Sequence, residues 1–235
     1  MTRGMIKTAV LASSVIVAFG AWAQTPGQAV PQQARPQYLA PTQGPAQRLP
    51  AFTHPQTVSQ DLARIDKVLN NTASFAGRFA QYGSDGSFAQ GVVYLKRPGK
   101  IRFEYDPPAT LLMVSDGVTL TQVDKALDTK DRVPLKSTPL AFFLSDKVHL
   151  EDDVEVIALQ KTPDAISVTA KDGSGQVAGS ITMVFDPASL QLKEWIIHDE
   201  FGQQTRVLLS QVRYNERLNP RLFVLRDARR HGRRR

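Results

Sequence analysis

Between residues 91 and 214 the chain passes through nine short runs in which apolar and polar side chains alternate or apolar ones cluster, each closed by Gly, Asp or Pro: 91–97, 101–105, 111–115, 118–123, 154–159, 165–170, 179–185, 190–197 and 204–214. Val, Ile, Phe, Tyr and Thr are enriched in them, as pleated strands require. Most of the links are too short for the crossover of a dozen residues that parallel neighbours need, so the pairing is antiparallel. In Ile101-Arg102-Phe103-Glu104-Tyr105 the alternation is strict, and Ile181, Met183 and Phe185 share one parity. One sheet face is therefore continuous and apolar, and the other meets water.

Two segments carry helix signals instead. Val58, Leu62, Ile65, Val68 and Leu69 recur at helical spacing, and Thr57 with Gln60 three positions on forms a capping box at the start. Thr138-Pro139 then reads as a cap and a first-turn proline before the apolar Leu140, Phe142, Phe143 and Leu144. A curved antiparallel sheet with an apolar inner face closed by short helices is the architecture that these pieces suggest.

The ends of the chain have a different character. Arg3 and Lys7 precede an apolar stretch over 9–20 and then Ala21-Trp22-Ala23, the pattern of a secretory signal peptide cleaved before Gln24. The stretch is too short to cross a bilayer, which takes about twenty residues. Residues 24–56, rich in Pro, Gln and Ala, read as a disordered spacer, and the folded unit is expected over 57–225. The absence of cysteine removes disulfides, thiolate metal sites and the acyl anchor of a lipoprotein. Residues 24–225 hold 21 basic and 21 acidic side chains, which argues against a nucleic-acid groove. Of the net charge of +7, two lie in the signal peptide at Arg3 and Lys7, and the rest sits in 226–235, with six arginines against Asp227. This Arg-rich tail reads either as a solubilising end or as a contact with anionic headgroups, at roughly 1 kcal/mol per Arg near such a surface.

The ordered landmarks resemble a known family. They are the amphipathic first helix, Ser74-Phe75, Phe79 with Gln81, Gly91, the run Lys96-Arg97-Pro98-Gly99-Lys100-Ile101-Arg102-Phe103-Glu104-Tyr105, Pro107-Pro108, Val114-Ser115-Asp116-Gly117 and Ser137-Thr138-Pro139-Leu140. Asp199, Gly202, the run 205–209 and Phe223 continue the series, so that it spans 57–225. In order and spacing this set is similar to the outer-membrane lipoprotein carrier family, LolA. The resemblance implies an unclosed antiparallel β-barrel of about eleven strands with a lid of short α-helices over an apolar cavity. It further implies a periplasmic monomer that takes acylated lipoproteins from an inner-membrane ABC-type releasing complex to an outer-membrane acceptor, with transient membrane contact, no cofactor and no catalysis. Three chains of about sixteen carbons, at about 0.8 kcal/mol per methylene, represent roughly 35 kcal/mol that apolar wall has to replace.

Arg97 is the candidate mechanistic residue. It shares the parity of Val93 and Leu95, so its guanidinium either points into an apolar mouth or turns to solvent before Pro98. The resemblance favours the first, since in the family the arginine of this Lys-Arg-Pro motif bonds to lid elements and holds the empty form closed. By parity, the expected cavity walls are Val93, Leu95, Ile101, Phe103, Leu112, Val114, Ile181, Met183 and Phe185, with Leu140, Phe142 and Phe143 from the lid. A slip of one residue would invert a whole strand. Two alternatives stand beside the carrier: a LolA-like sensor or transport protein with another lipid cargo, as in RseB, and an exported lipid-active hydrolase using His198, Asp199 and a distant serine. The four histidines lack metal-ligand spacing, and Glu151-Asp152-Asp153 lacks the alternating ligands and turn glycine of a calcium loop.

Overall fold

The computed structural model of the protein describes residues 55–225. The expected signal peptide (1–23), the spacer (24–56, save its last two residues) and the Arg-rich tail (226–235) lie outside the described residues. The described part begins with helix α1 (Pro55–Asn71) and continues through β1 (Ser74–Gly83), β2 (Phe88–Lys96), β3 (Lys100–Tyr105), β4 (Leu111–Asp116), β5 (Thr119–Asp124) and β6 (Thr129–Pro134). A 3-10 turn (Leu135–Ser137), α2 (Leu140–Phe143) and α3 (Leu150–Asp153) follow. The second run of strands is β7 (Glu155–Lys161), β8 (Ile166–Lys171), β9 (Ser180–Phe185), β10 (Leu192–His198) and β11 (Gln204–Tyr214), before a last 3-10 turn at Pro220–Phe223.

All eleven strands form one antiparallel sheet in the order β6-β5-β4-β3-β2-β1-β11-β10-β9-β8-β7. The sheet is not closed, because β6 and β7 are its two edges. The segment between these edges, 135–154, carries α2 and α3 and joins α1 over the inner face. Each edge is protected in its own way: β6 by Lys130, Asp131, Arg132 and Pro134, and β7 by a bulge between Val156 and Ala158.

The inner face forms the core. Leu62, Ile65 and Leu69 of α1 are buried in one cluster with Phe75, Phe79, Val93, Leu95, Ile101, Phe103, Val168, Met183 and Trp195. Full burial of each such side chain contributes about 1.5–3 kcal/mol, which anchors the helix to the sheet. Phe143 of the lid contacts Trp195, Trp195 contacts Phe103, and Phe103 meets Phe79 edge to face at 5.0 Å. Gly91 permits this packing. A Cβ there would stand 1.9 Å from the Glu104 carbonyl oxygen and 2.8 Å from the Phe79 ring, so no larger residue fits.

The structure revises the sequence reading at several points. Strands β1 and β6 gave no alternating signal of their own. The inward positions of β1 include Gly77 and Gln81, and β6 is almost wholly exposed. Helix α1 starts at Pro55, so Thr57 lies inside its first turn and not at its cap. Thr138 does not cap α2: its hydroxyl donates back to the Leu135 carbonyl at 2.8 Å. In β4 the expected parity is inverted. Leu112 pairs with Glu104, and Val114 with Arg102, which puts both on the convex face, while Met113 and Ser115 turn inward opposite Phe103 and Ile101. The cause is a second, small core on that face. There Ala76, Leu218 and Phe223 pack with Tyr94 and Leu222, and Arg102 holds the C-terminal segment by donating to the Leu222 carbonyl at 2.9 Å.

Candidate functional site

The arginine after β2 lies under the lid. Val93 and Leu95 are fully buried on the inner face, and Arg97, continuing their parity, folds its guanidinium in the same direction. Nη1 donates to the carbonyl of Leu69 in the last turn of α1, and Nη2 donates to the carbonyl of Phe143, the last residue of α2, at 2.8 Å. One side chain thus reaches the C-terminal carbonyls of two lid helices, which lack partners within their own helices and favour a cation. The guanidinium carbon also stands 5.3 Å from the centre of the Phe143 ring. Burial pulls the Arg97 pKa down to about 10, so it stays charged at neutral pH.

Backbone completes the grip. Gly99 donates its N–H to the Leu144 carbonyl at 2.7 Å, and its own carbonyl accepts from the buried Ser115 hydroxyl at 2.7 Å. The turn can approach the next one only because Gly99, at φ +70°, has no side chain: a Cβ would lie 2.7 Å from the Gly117 Cα. The gain is partly offset. Two bonds from a charged donor contribute about 1.5–3 kcal/mol each, and the buried, unpartnered Nε takes back about 1–3 kcal/mol.

A second set of tethers escaped the sequence reading. Asn70 of α1 accepts from the Val148 N–H at 2.8 Å and donates to the Val148 carbonyl at 2.9 Å, and both oxygens of Asp66 face the Leu150 N–H at 3.2 Å. Ser59 donates to Glu151 at 2.7 Å. These bonds tie α1 to the segment around α3. Lys161 of β7 donates to Asp61 at 2.6 Å and ties α1 to the sheet edge. The signal was present as a polar file at 59, 66 and 70, which are seven and four residues apart on one helix face beside the apolar stripe.

The other candidate positions distribute as follows. Val93, Leu95, Ile101, Phe103, Leu140, Phe143, Ile181, Met183 and Phe185 are all buried in the inner core, with Phe142 half-buried against it. Leu112 and Val114 are not with them. Among the described residues, side chains pack beneath the helices, with crevices at the flanks. One, of 130 Å³, lies between α2 and the β8–β9 hairpin, and another, of 20 Å³, lies beside Arg97 under the end of α1. The larger is close to the roughly 150 Å³ that holds a benzene ring. An acyl chain needs the lid to move.

His198 and Asp199 do not form a catalytic pair. His198 Nε2 lies 3.3 Å from the Thr182 hydroxyl, which meets Thr169, while Asp199 accepts from the Phe201 and Gln203 amides of its own turn. Partial burial lowers the His198 pKa. Among the described residues no three His, Asp or Glu side chains are grouped to hold a metal ion.

Residues 70–226 match the family described as "Outer membrane lipoprotein carrier protein LolA". Relatives named outer-membrane lipoprotein carrier protein include one from Pseudomonas syringae pv. syringae, 28% identical over 173 residues, covering 67% of this chain and 80% of that one. Another, from Azotobacter vinelandii, is 27% identical over 188 residues and covers 74% and 87% of the two chains. Among solved structures, a LolA superfamily protein from Nitrosomonas europaea aligns with a TM-score of 0.44 at 10% identity, over 71% of this chain and 97% of that one.

Proposed function

Because the chain belongs to the LolA family of outer membrane lipoprotein carrier proteins, we propose that it is a carrier that shelters the acyl chains of lipoproteins against the inner face of its sheet. In this reading it works in the periplasm, receives cargo from an inner-membrane ABC-type complex and delivers it to an outer-membrane acceptor. It performs no reaction of its own, in keeping with an Asp199 carboxylate engaged by its own turn.

The observation that carries the proposal is the placement of Arg97. A permanent binding site would have no use for a buried cation whose bonds hold a lid against the surface that the ligand needs. A carrier does, because release requires a closed empty state. Cargo breaks the bonds to Leu69 and Phe143, and their re-formation favours discharge. Displacing one side chain removes a tie from both helices at once. The apolar lining that would receive the chains includes Val93, Leu95, Ile101, Phe103, Met183 and Phe185.

The test is Arg97→Leu. The variant should take up lipoprotein as the unmodified protein does, and transfer to the acceptor, followed by pull-down of each partner, should fall about tenfold, equivalent to about 1.4 kcal/mol. Transfer at the unmodified rate would rule out the latch. Failure of both proteins to bind any acylated cargo would overturn the carrier reading as a whole.

A further inference from the structure

The two flanks of the lid differ in a way that indicates where cargo enters. Beside Arg97 the crevice is only 20 Å³ and is crossed by hydrogen bonds to Leu69 and Phe143. On the opposite flank the 130 Å³ crevice is walled by Ala141, Phe142, Val154, Ala170, Val177 and Ile181. Its floor is part of the inner core, since Ile181 belongs to that cluster and Phe142 packs against it. The crevice is therefore continuous with the surface that the lid covers.

Chemistry at the rim selects the occupant. Lys136, Lys171, Asp153 and Asp172 surround it, two charges of each sign. Three of the four are already engaged: Lys171 with Glu155 at 3.1 Å, Asp153 with the His149 N–H at 2.8 Å, and Asp172 with the amides of Ser174, Gln176 and Val177. A charged headgroup would gain little here, whereas a hydrocarbon chain meets a wall that is mostly apolar below the charged rim.

The bonding of α2 points the same way. Its lead-in is held at Leu135, which donates to the Val118 carbonyl, and its far end is held through Phe143 and Leu144. Thr138 and Ala141 bond only within the segment itself. Among the described residues no hydrogen bond joins 138–142 to 170–181, so that flank is closed by side-chain contact alone.

We propose that the crevice between α2 and the β8–β9 hairpin admits the first acyl chain, which displaces Phe142 from Ile181 and wedges α2 outward before Arg97 lets go. The inference rests on the carrier reading. Its ligand is a single saturated chain, of which the crevice as it stands holds only the leading methylenes. The remainder fits as α2 lifts.

The absence of native cysteine makes a direct test practical. Ala141→Cys with Val177→Cys, bridged by a short bismaleimide, staples the larger crevice shut. Val68→Cys with Gln191→Cys, bridged in the same way, staples the smaller flank and leaves α2 free. Uptake of a fluorophore-labelled palmitate by the full-length protein is followed after each bridge, with circular dichroism as the check on folding. The first staple should slow uptake about tenfold or more and the second should leave it nearly unchanged. Inhibition by the second staple alone, or equal inhibition by both, overturns the proposal while leaving a carrier that loads elsewhere. No uptake by the unbridged protein would instead remove the reading on which it rests.

Discussion

The lid is held by two sets of contacts of different chemistry. In one, Arg97 reaches from the sheet to the last carbonyls of α1 and α2 with a buried charge and an orphaned Nε, and in the other Asn70 and Asp66 of α1 meet the backbone around Val148 and Leu150. The Asn70 set joins lid to lid, and the Arg97 set joins lid to sheet. The first makes α1 and the α3 segment one body, while the second, with the Lys161–Asp61 bridge, holds that body down. A satisfied amide pair is costly to break and suits a permanent joint. A desolvated cation, whose burial and orphaned Nε offset part of what its bonds contribute, suits a joint that opens.

The contrast is broken most severely by Asn70→Leu, which strands both the N–H and the carbonyl of Val148. It should cost about 2–4 kcal/mol in urea unfolding and raise amide exchange at Val148 and Leu150 together. Exchange confined to Val148 would mean that α1 and α3 are not one body. Arg97→Leu should be milder for stability, about 1 kcal/mol, because the lost bonds are offset by removal of a buried charge. A loss as large as that from Asn70→Leu would make Arg97 a structural fastener and end the distinction. Lys161→Met tests the half-exposed bridge to Asp61, which Arg64 also approaches at 3.6 Å, and should cost only about 0.5–1 kcal/mol.

The smallest effect concerns pH. Burial raises the Asp66 pKa above its ordinary 3.8 despite the Leu150 N–H and the nearby His149, with Asp153 and Glu151 adding to the rise. A group whose folded pKa is raised stabilises fully below its unfolded value, and that contribution is lost as pH climbs through the folded one. Asp66→Asn should therefore flatten the decline in melting temperature just above pH 3.8. An unchanged profile would assign the decline to other carboxylates.

Legibility in the sequence followed how many faces of each strand are buried. In β3, Ile101 and Phe103 alternate with Arg102 and Glu104, so one face is apolar and the parity was evident. In β4 the run Leu111-Leu112-Met113-Val114 is apolar on both faces, because the C-terminal segment covers the convex side with Leu222 and Phe223. Periodicity then carries no direction. β11 is disguised differently: a bulge at Gln211, φ +51°, shifts the inward series from Val207 and Leu209 to Val212 and Tyr214.

Local alternation, turn residues and helical spacing are properties of neighbouring side chains, and from them the sequence by itself determined an antiparallel sheet with an amphipathic helix laid across it. Its ordered landmarks also marked Arg97 as the residue to follow. Tertiary structure alone decided that Arg97 meets Leu69 and Phe143, that Asn70 meets Val148, and that α2 rests unbonded against the β8–β9 hairpin. Those contacts join residues 28 to 78 positions apart, and no local pattern encodes a distance that only the closing of the sheet creates.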